Sequence, residues 1–138
     1  MSTKLIVNLP ARDLAQATRF FAAMGFPFNE RLANENINAL VINDDSYVLL
    51  VVESFFKTIT QQAKKSIADA TTSEAILQLG VDSRQQVDAL VDKALAAGGQ
   101  PAREPNDQGF LYGRSFQDLD GHLWDVFYMD LAALQEST

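Results

Sequence analysis

The chain has 138 residues, enough for one compact domain with a real core; no separate second domain is expected unless the units are small repeats sharing a sheet. Its apolar fraction of 47% and charged fraction of 21% are those of a globular protein, and the formal charge of -7 argues against nucleic acid or anionic membrane as partners. There is no cysteine, which removes disulfides, thiolate metal sites and a thiol nucleophile, and the absence of a signal-like or spanning apolar run makes the expected location cytoplasmic.

The first β-rich run is Leu5-Ile6-Val7-Asn8-Leu9. Asp13 then predicts a helix start, with Gln16 three positions on. Leu14, Ala17, Phe20, Phe21 and Met24 recur at intervals of three and four, so they share one helical face, and Gly25 ends it. Three strand-like runs follow: Pro27 to Leu32, Asn36 to Ile42, and Ser46 to Glu53, the last two separated by Asn43-Asp44-Asp45. The unit reads β-α-β-β-β. Ser54 to Thr72 is mixed, with Phe55, Phe56 and Ile59 early and Lys64, Lys65 and Asp69 later, and reads as a partly helical linker.

The same order then recurs. Glu74 to Gly80 is a strand, Ser83-Arg84-Gln85-Gln86 reads as a capping box, and Val87, Leu90, Val91, Ala94 and Leu95 form the buried stripe of a second helix closed by Gly98-Gly99. Strands are expected at about Gln100 to Glu104, Phe110 to Gln117 and Leu123 to Met129, the last two joined by Asp118-Leu119-Asp120-Gly121. Ile6 aligns with Ile76 and Gly25 with Gly98, an offset of about seventy residues. The modules are therefore about 4–53 and 73–130, with a linker at about 54–72.

Val7-Asn8-Leu9-Pro10-Ala11-Arg12-Asp13-Leu14 leading to Phe20-Phe21 and Gly25-Phe26, together with Asp118-Leu119-Asp120-Gly121-His122-Leu123-Trp124-Asp125, resembles the vicinal oxygen chelate superfamily of glyoxalases, bleomycin-resistance proteins and extradiol dioxygenases. The resemblance spans about Lys4 to Asp130. It implies an α+β fold in which two βαβββ modules form a curved mixed eight-stranded sheet, a half-open cup with helices on its outer face. It also implies homodimers whose cups are completed at the subunit contact. Active members hold a divalent Zn, Ni, Mn or Fe in the cup through a His on the first strand of each module and a carboxylate on the last.

Carried over residue by residue, the family's first His falls on Ile6, seven residues before Asp13, and the second on Ile76, four before Gly80. The carboxylate of the first module falls within Val48-Leu49-Leu50-Val51-Val52, at Leu50, and that of the second on Asp125, four after Gly121. One carboxylate of four remains, so no metal is expected at this site. The single histidine, His122, is three residues from Asp125 and points to the opposite face of an extended strand, as does Trp124.

If Ile6 and Ile76 look into the cup, Asn8 and Gln78 do so as well and offer one amide per module, unless both amides serve the backbone. Phe110, Tyr112, Arg114 and Phe116 share a face: on the inner side Arg114 could meet Asp125 or an anionic ligand, on the outer side it is structural or solvated. The candidate lining is thus Ile6, Asn8, Leu50, Ile76, Gln78, Tyr112, Arg114 and Asp125. Three functions fit: a metal-independent binder of a small molecule, with a cationic one suiting the acidic surface; a metal-dependent glyoxalase-like lyase or isomerase; and an association domain whose cup is filled by side chains.

Overall fold

The computed structural model describes residues 4–60 and 75–132. The first module opens with β1 (Leu5–Ala11), followed by α1 (Leu14–Ala23), a 3₁₀ turn (Glu30–Leu32), β2 (Ile37–Asn43), β3 (Ser46–Val52) and α2 (Glu53–Ile59). The second runs β4 (Ile76–Gly80), α3 (Arg84–Ala96), β5 (Gln100–Pro101), β6 (Asn106–Asp107), β7 (Leu111–Gln117) and β8 (Leu123–Met129). Lys64, Lys65, Asp69 and the expected strand start at Glu74 lie outside the described residues; among the described residues, the linker begins in α2.

Both long helices start where their capping residues predict. The Asp13 side chain accepts from Gln16 N at 3.0 Å, and the Ser83 hydroxyl accepts from Gln86 N at 3.1 Å. The box at Ser83 closes one residue early, because Gln86 Oε1 accepts from Asp82 N at 2.7 Å rather than from Ser83 N. Gly25 and Gly98 follow the two helices at φ 99° and 110°, a region that glycine enters without a Cβ clash.

The strands form two mixed sheets, with no ladder joining them among the described residues. One has three strands in the order β1-β3-β2, and the other runs β4-β8-β7-β5 with β6 also paired to β7. In each module the first strand runs parallel to the last, while the hairpin strands β2/β3 and β7/β8 are antiparallel. The expected eight-stranded sheet is therefore divided three and five. The run Pro27 to Leu32 is not a strand: only Phe28 makes a bridge, to Leu40, and Asn29 instead caps the 3₁₀ turn through Arg31 N. Gln100 to Glu104 shortens to Gln100–Pro101, because Pro101 and Pro105 have no N–H to lend a ladder.

One core draws on both modules. Phe20 and Phe21 on α1 lie in an edge-to-face pair 4.9 Å apart, and they reach Phe116 on β7 and Trp124 on β8 at centroid distances of 6.1 and 5.2 Å. Phe116 and Trp124 stack at 6.2 Å with rings 2° from parallel. Val87, Val91 and Ala94 supply the buried stripe of α3. Strand alternation then decides everything about the other face: Leu9, Leu50, Phe116, Trp124 and Val126 belong to the core, so Asn8, Ser115, Asp125 and Phe127 point away from it.

Candidate functional site

The residues that gather on the coreless face of the second sheet come from four elements. Gln78 on β4 stands opposite Asp125 on β8, and Ser115 on β7 stands opposite Asp125 from the other side. Gln78 Nε2 donates to Asp125 Oδ2 at 3.0 Å. Arg103, from the segment after β5, sets its Nη2 3.2 Å from Asp125 Oδ1, and its backbone N donates to Ser115 Oγ at 2.8 Å. Asp125 and Ser115 are buried, whereas the Arg103 side chain is 58% exposed. Around this polar centre Leu111, Phe127 and Met129 form apolar walls, with Glu104 and Asn106 at the rim, and the cavity measures about 250 Å3.

The cavity owes its room to Gly113. A Cβ there would meet Val126 O at 3.5 Å, Phe127 Cβ at 3.7 Å and Asp125 Oδ1 at 3.8 Å, so any larger side chain on this face of β7 would stand over the carboxylate. A concave surface that sets apolar walls beside convergent polar groups is a form that small-molecule sites take, and here the polar groups are numerous.

The candidate residues from the sequence divide sharply. Gln78 and Asp125 meet in the cavity, as parity requires. Ile6 and Asn8 on β1 and Ile76 on β4 are exposed on the faces their alternation implies, but none of them lines this cavity. Leu50 needs correction: it pairs in register with Leu9, is 1% exposed and packs in the core, while its neighbour Leu49 shares the face of Asn8. The unbroken aliphatic run Val48 to Val52 has no polar residue to mark its phase.

Tyr112 and Arg114 need the same correction. They share the face of Phe116, as their spacing predicts, but it is the helix face. The Tyr112 hydroxyl donates to Asp88 Oδ1 at 2.6 Å, and Arg114 Nη1 donates to Asp88 Oδ1 at 3.0 Å and Asp92 Oδ1 at 2.9 Å, both on α3. Arg114 borders the cavity, but its guanidinium is paired with Asp88 and Asp92 on α3 and not with Asp125. Arg84 stacks its guanidinium 4.5 Å over the Tyr112 ring and pairs with Asp107.

The hydrogen bond from Tyr112 holds the Asp88 carboxyl below its usual range, and the same bond raises the Tyr112 phenol. The signs fix the pH dependence. Asp88 contributes stability above the ordinary carboxylate range and loses it as pH falls, while Tyr112 contributes below the ordinary phenol range, near pH 10, and loses it as pH rises through its elevated value. The stability difference between the native chain and Tyr112→Phe is therefore expected to be flat from about pH 5 to 9 and to shrink at both extremes. Urea unfolding across that range checks it, and a difference that grows above pH 10 would contradict the assignment.

Sequence reasoning missed Arg103 and Ser115. Ser115 was within reach, since it is one residue from Phe116 and therefore on the face of Asp125. Arg103 was not, because its placement depends on how residues 102–105 return from β5 to β7.

A second group, Asp118, Asp120 and His122, brings one potential ligand atom from each residue within 4.8 Å of the others. Those groups already have partners. Asp118 Oδ1 accepts from Asp120 N and His122 N at 3.0 and 2.9 Å, and Oδ2 accepts from Trp124 Nε1 at 3.0 Å. Asp120 Oδ1 accepts from Arg12 N and Nε, and His122 Nε2 lies 2.7 Å from Pro10 O. Burial pushes the Asp118 carboxyl up, while His122 and these donors draw it back. The group is a brace between the β7–β8 turn and the end of β1.

The sequence profile of the Glyoxalase/Bleomycin resistance protein/Dioxygenase superfamily matches residues 5–126. The chain belongs to this superfamily. No curated protein matches the sequence. Among solved structures, the hypothetical protein SA1046 from S. aureus is 30% identical, with 93% of this chain and 94% of that one covered and a TM-score of 0.76. A glyoxalase/bleomycin resistance protein/dioxygenase family enzyme from Burkholderia phytofirmans PsJN is 20% identical over 93% and 99% of the two chains, with a TM-score of 0.77. TnmS3, an antibiotic binding protein from Streptomyces sp. CB03234, is 18% identical over 94% and 97%, with a TM-score of 0.65. The latter two likenesses carry the fold alone.

The metal set that the superfamily resemblance implies does not fit the residues here. Ile6 and Ile76 present hydrocarbon, Leu50 lies in the core, and its neighbours Leu49 and Val51 are aliphatic too. At Asp125, one oxygen faces an amide donor and the other a guanidinium, and a cation there repels a divalent ion. No helix among the described residues is long and apolar enough to cross a membrane.

Proposed function

We propose that this superfamily member is a cytoplasmic small-molecule binding protein that uses the cavity beside Asp125 without a catalytic metal and acts as a homodimer. The observation that carries the reading is the carboxylate itself: the one acidic group retained at a family ligand position is tied to Gln78 and Arg103 in a cavity whose lining mixes polar groups with Leu111, Phe127 and Met129. Such a site recognises a polar group on an apolar body. The charge of -7 favours ligands of positive charge. TnmS3 illustrates that this fold serves antibiotic binding.

The dimer rests on the strand edges. β1 and β4 each end a sheet, and Leu5, Ile6 and Ile76 on them are 65%, 49% and 52% exposed, an apolar edge of the kind that proteins cover by association. A solution mass of twice 15.2 kDa is expected.

The test combines metal content with ligand binding. Protein purified without chelator is expected to carry no stoichiometric metal and to remain inactive on a hemithioacetal when Ni or Zn is supplied. A thermal-shift screen of amphiphilic amines and cationic antibiotics is expected to raise the melting temperature, because a ligand at a hundred times its Kd adds about 2.7 kcal/mol to the native state. A stoichiometric metal with isomerase activity would establish the lyase instead. Absence of any shift would leave an association domain.

A further inference from the structure

The buried Asp125 in the cavity is neutralised by a cation that the protein supplies itself, and from an unusual direction. Arg103 belongs to a run, 101–109, in which every residue is exposed, and it reaches inward to Asp125 Oδ1 across the mouth of the cavity. Its backbone is held separately, by the bond from Arg103 N to Ser115 Oγ. The guanidinium can therefore leave the carboxylate by side-chain rotation, with the main chain in place.

The energetics of the two partners differ. An exposed guanidinium loses little on release, since water takes over its hydrogen bonds. A buried carboxylate left without a cation loses much more, because its desolvation is no longer compensated. Exchange of one cation for another satisfies both conditions, while removal of Arg103 without replacement does not. Next to the carboxylate, Leu111, Phe127 and Met129 and the gap at Gly113 accept an apolar body.

Building on the small-molecule reading above, we infer that Arg103 is a displaceable stand-in for the ligand's own cation, and that the cavity takes primary amines or guanidines carried on an apolar group, which bind by expelling the Arg103 side chain from Asp125. Arg103 then sets affinity by competition. It keeps Asp125 paired in the free protein, and only a cationic ligand can take its place there.

The experiment is calorimetric titration of the whole chain with three probes of one shape: phenylbutylamine, phenylbutanol and phenylbutyrate. Arg103→Ala is expected to tighten amine binding about tenfold, and Arg103→Gln to do so to a smaller extent, with the alcohol little changed. Asp125→Asn is expected to abolish the preference for the amine over the alcohol, and Gly113→Val to weaken both. A single cooperative melting transition in the Arg103 variants, at a lower temperature than in the native chain because Asp125 has lost its cation, confirms that they fold. Unchanged or weaker amine binding in both Arg103 variants overturns the inference, and stronger phenylbutyrate than amine binding that is lost in Arg103→Ala does so by making Arg103 an anion receptor. If the alcohol still binds in a manner blocked by Gly113→Val, the binding function survives that failure. If no probe binds the native chain or either Arg103 variant, both fall together.

Discussion

Phe21→Ala is expected to destabilise the protein by about 4 kcal/mol, the range for deleting a buried aromatic ring. Phe21 is 1% exposed and lies 4.9 Å from Phe20 and 5.2 Å from Trp124, so the cavity would open between α1 of the first module and β8 of the second. That is a large part of a domain's total stability of about 5–15 kcal/mol, and it corresponds to a fall in melting temperature of about 10–15 °C. The loss should appear as one shifted transition rather than two, because the ring belongs to a core that both modules share. Calorimetry decides this. Separate transitions in the variant, or a shift of under about 3 °C, would mean that the aromatic contacts do not couple the modules.

Asp118→Ala is expected to cost about 3 kcal/mol, although the residue lies in a turn. The carboxylate accepts three hydrogen bonds, from Asp120 N, His122 N and the buried indole of Trp124, and Ala would leave these donors without an acceptor. Asp118→Asn should lose less, since its carbonyl can still receive the two backbone donors while its amide faces the indole N–H. A double-mutant cycle of Asp118→Asn with Trp124→Phe is expected to return a coupling of about 1 kcal/mol. Denaturant unfolding measures all of these. A deficit within 0.5 kcal/mol for Asp118→Ala, the ordinary range for surface changes, would show that the turn holds without the carboxylate.

The modules were legible wherever local chemistry and periodicity agreed. Asp13 and Ser83 cap their helices, Gly25 and Gly98 end them, and Trp124 and Asp125 fall on opposite faces as adjacent strand residues must. The site was legible to the extent that parity could be anchored. Asp125 and Gln78 were anchored by Gly121 and Gly80, and they meet. Leu50 had no anchor in its aliphatic run. Tyr112 and Arg114 were assigned one common face correctly, but the choice of side was made by Asp88 and Asp92 on a helix whose docking no local pattern records. Arg103 depended on the return path of an exposed segment, which is set by tertiary contacts with Ser115 and Asp125.

β7 carries two sets of side chains with no duties in common. Tyr112, Arg114 and Phe116 fasten the strand to α3 and to the aromatic core, whereas Leu111, Gly113 and Ser115 border the cavity. Because the two sets interleave one residue at a time, the shape and polarity of the cavity can change by single substitutions at 111, 113 and 115 while the helix attachment stays intact. A strand so divided lets the cavity change its lining without first loosening the scaffold that holds it.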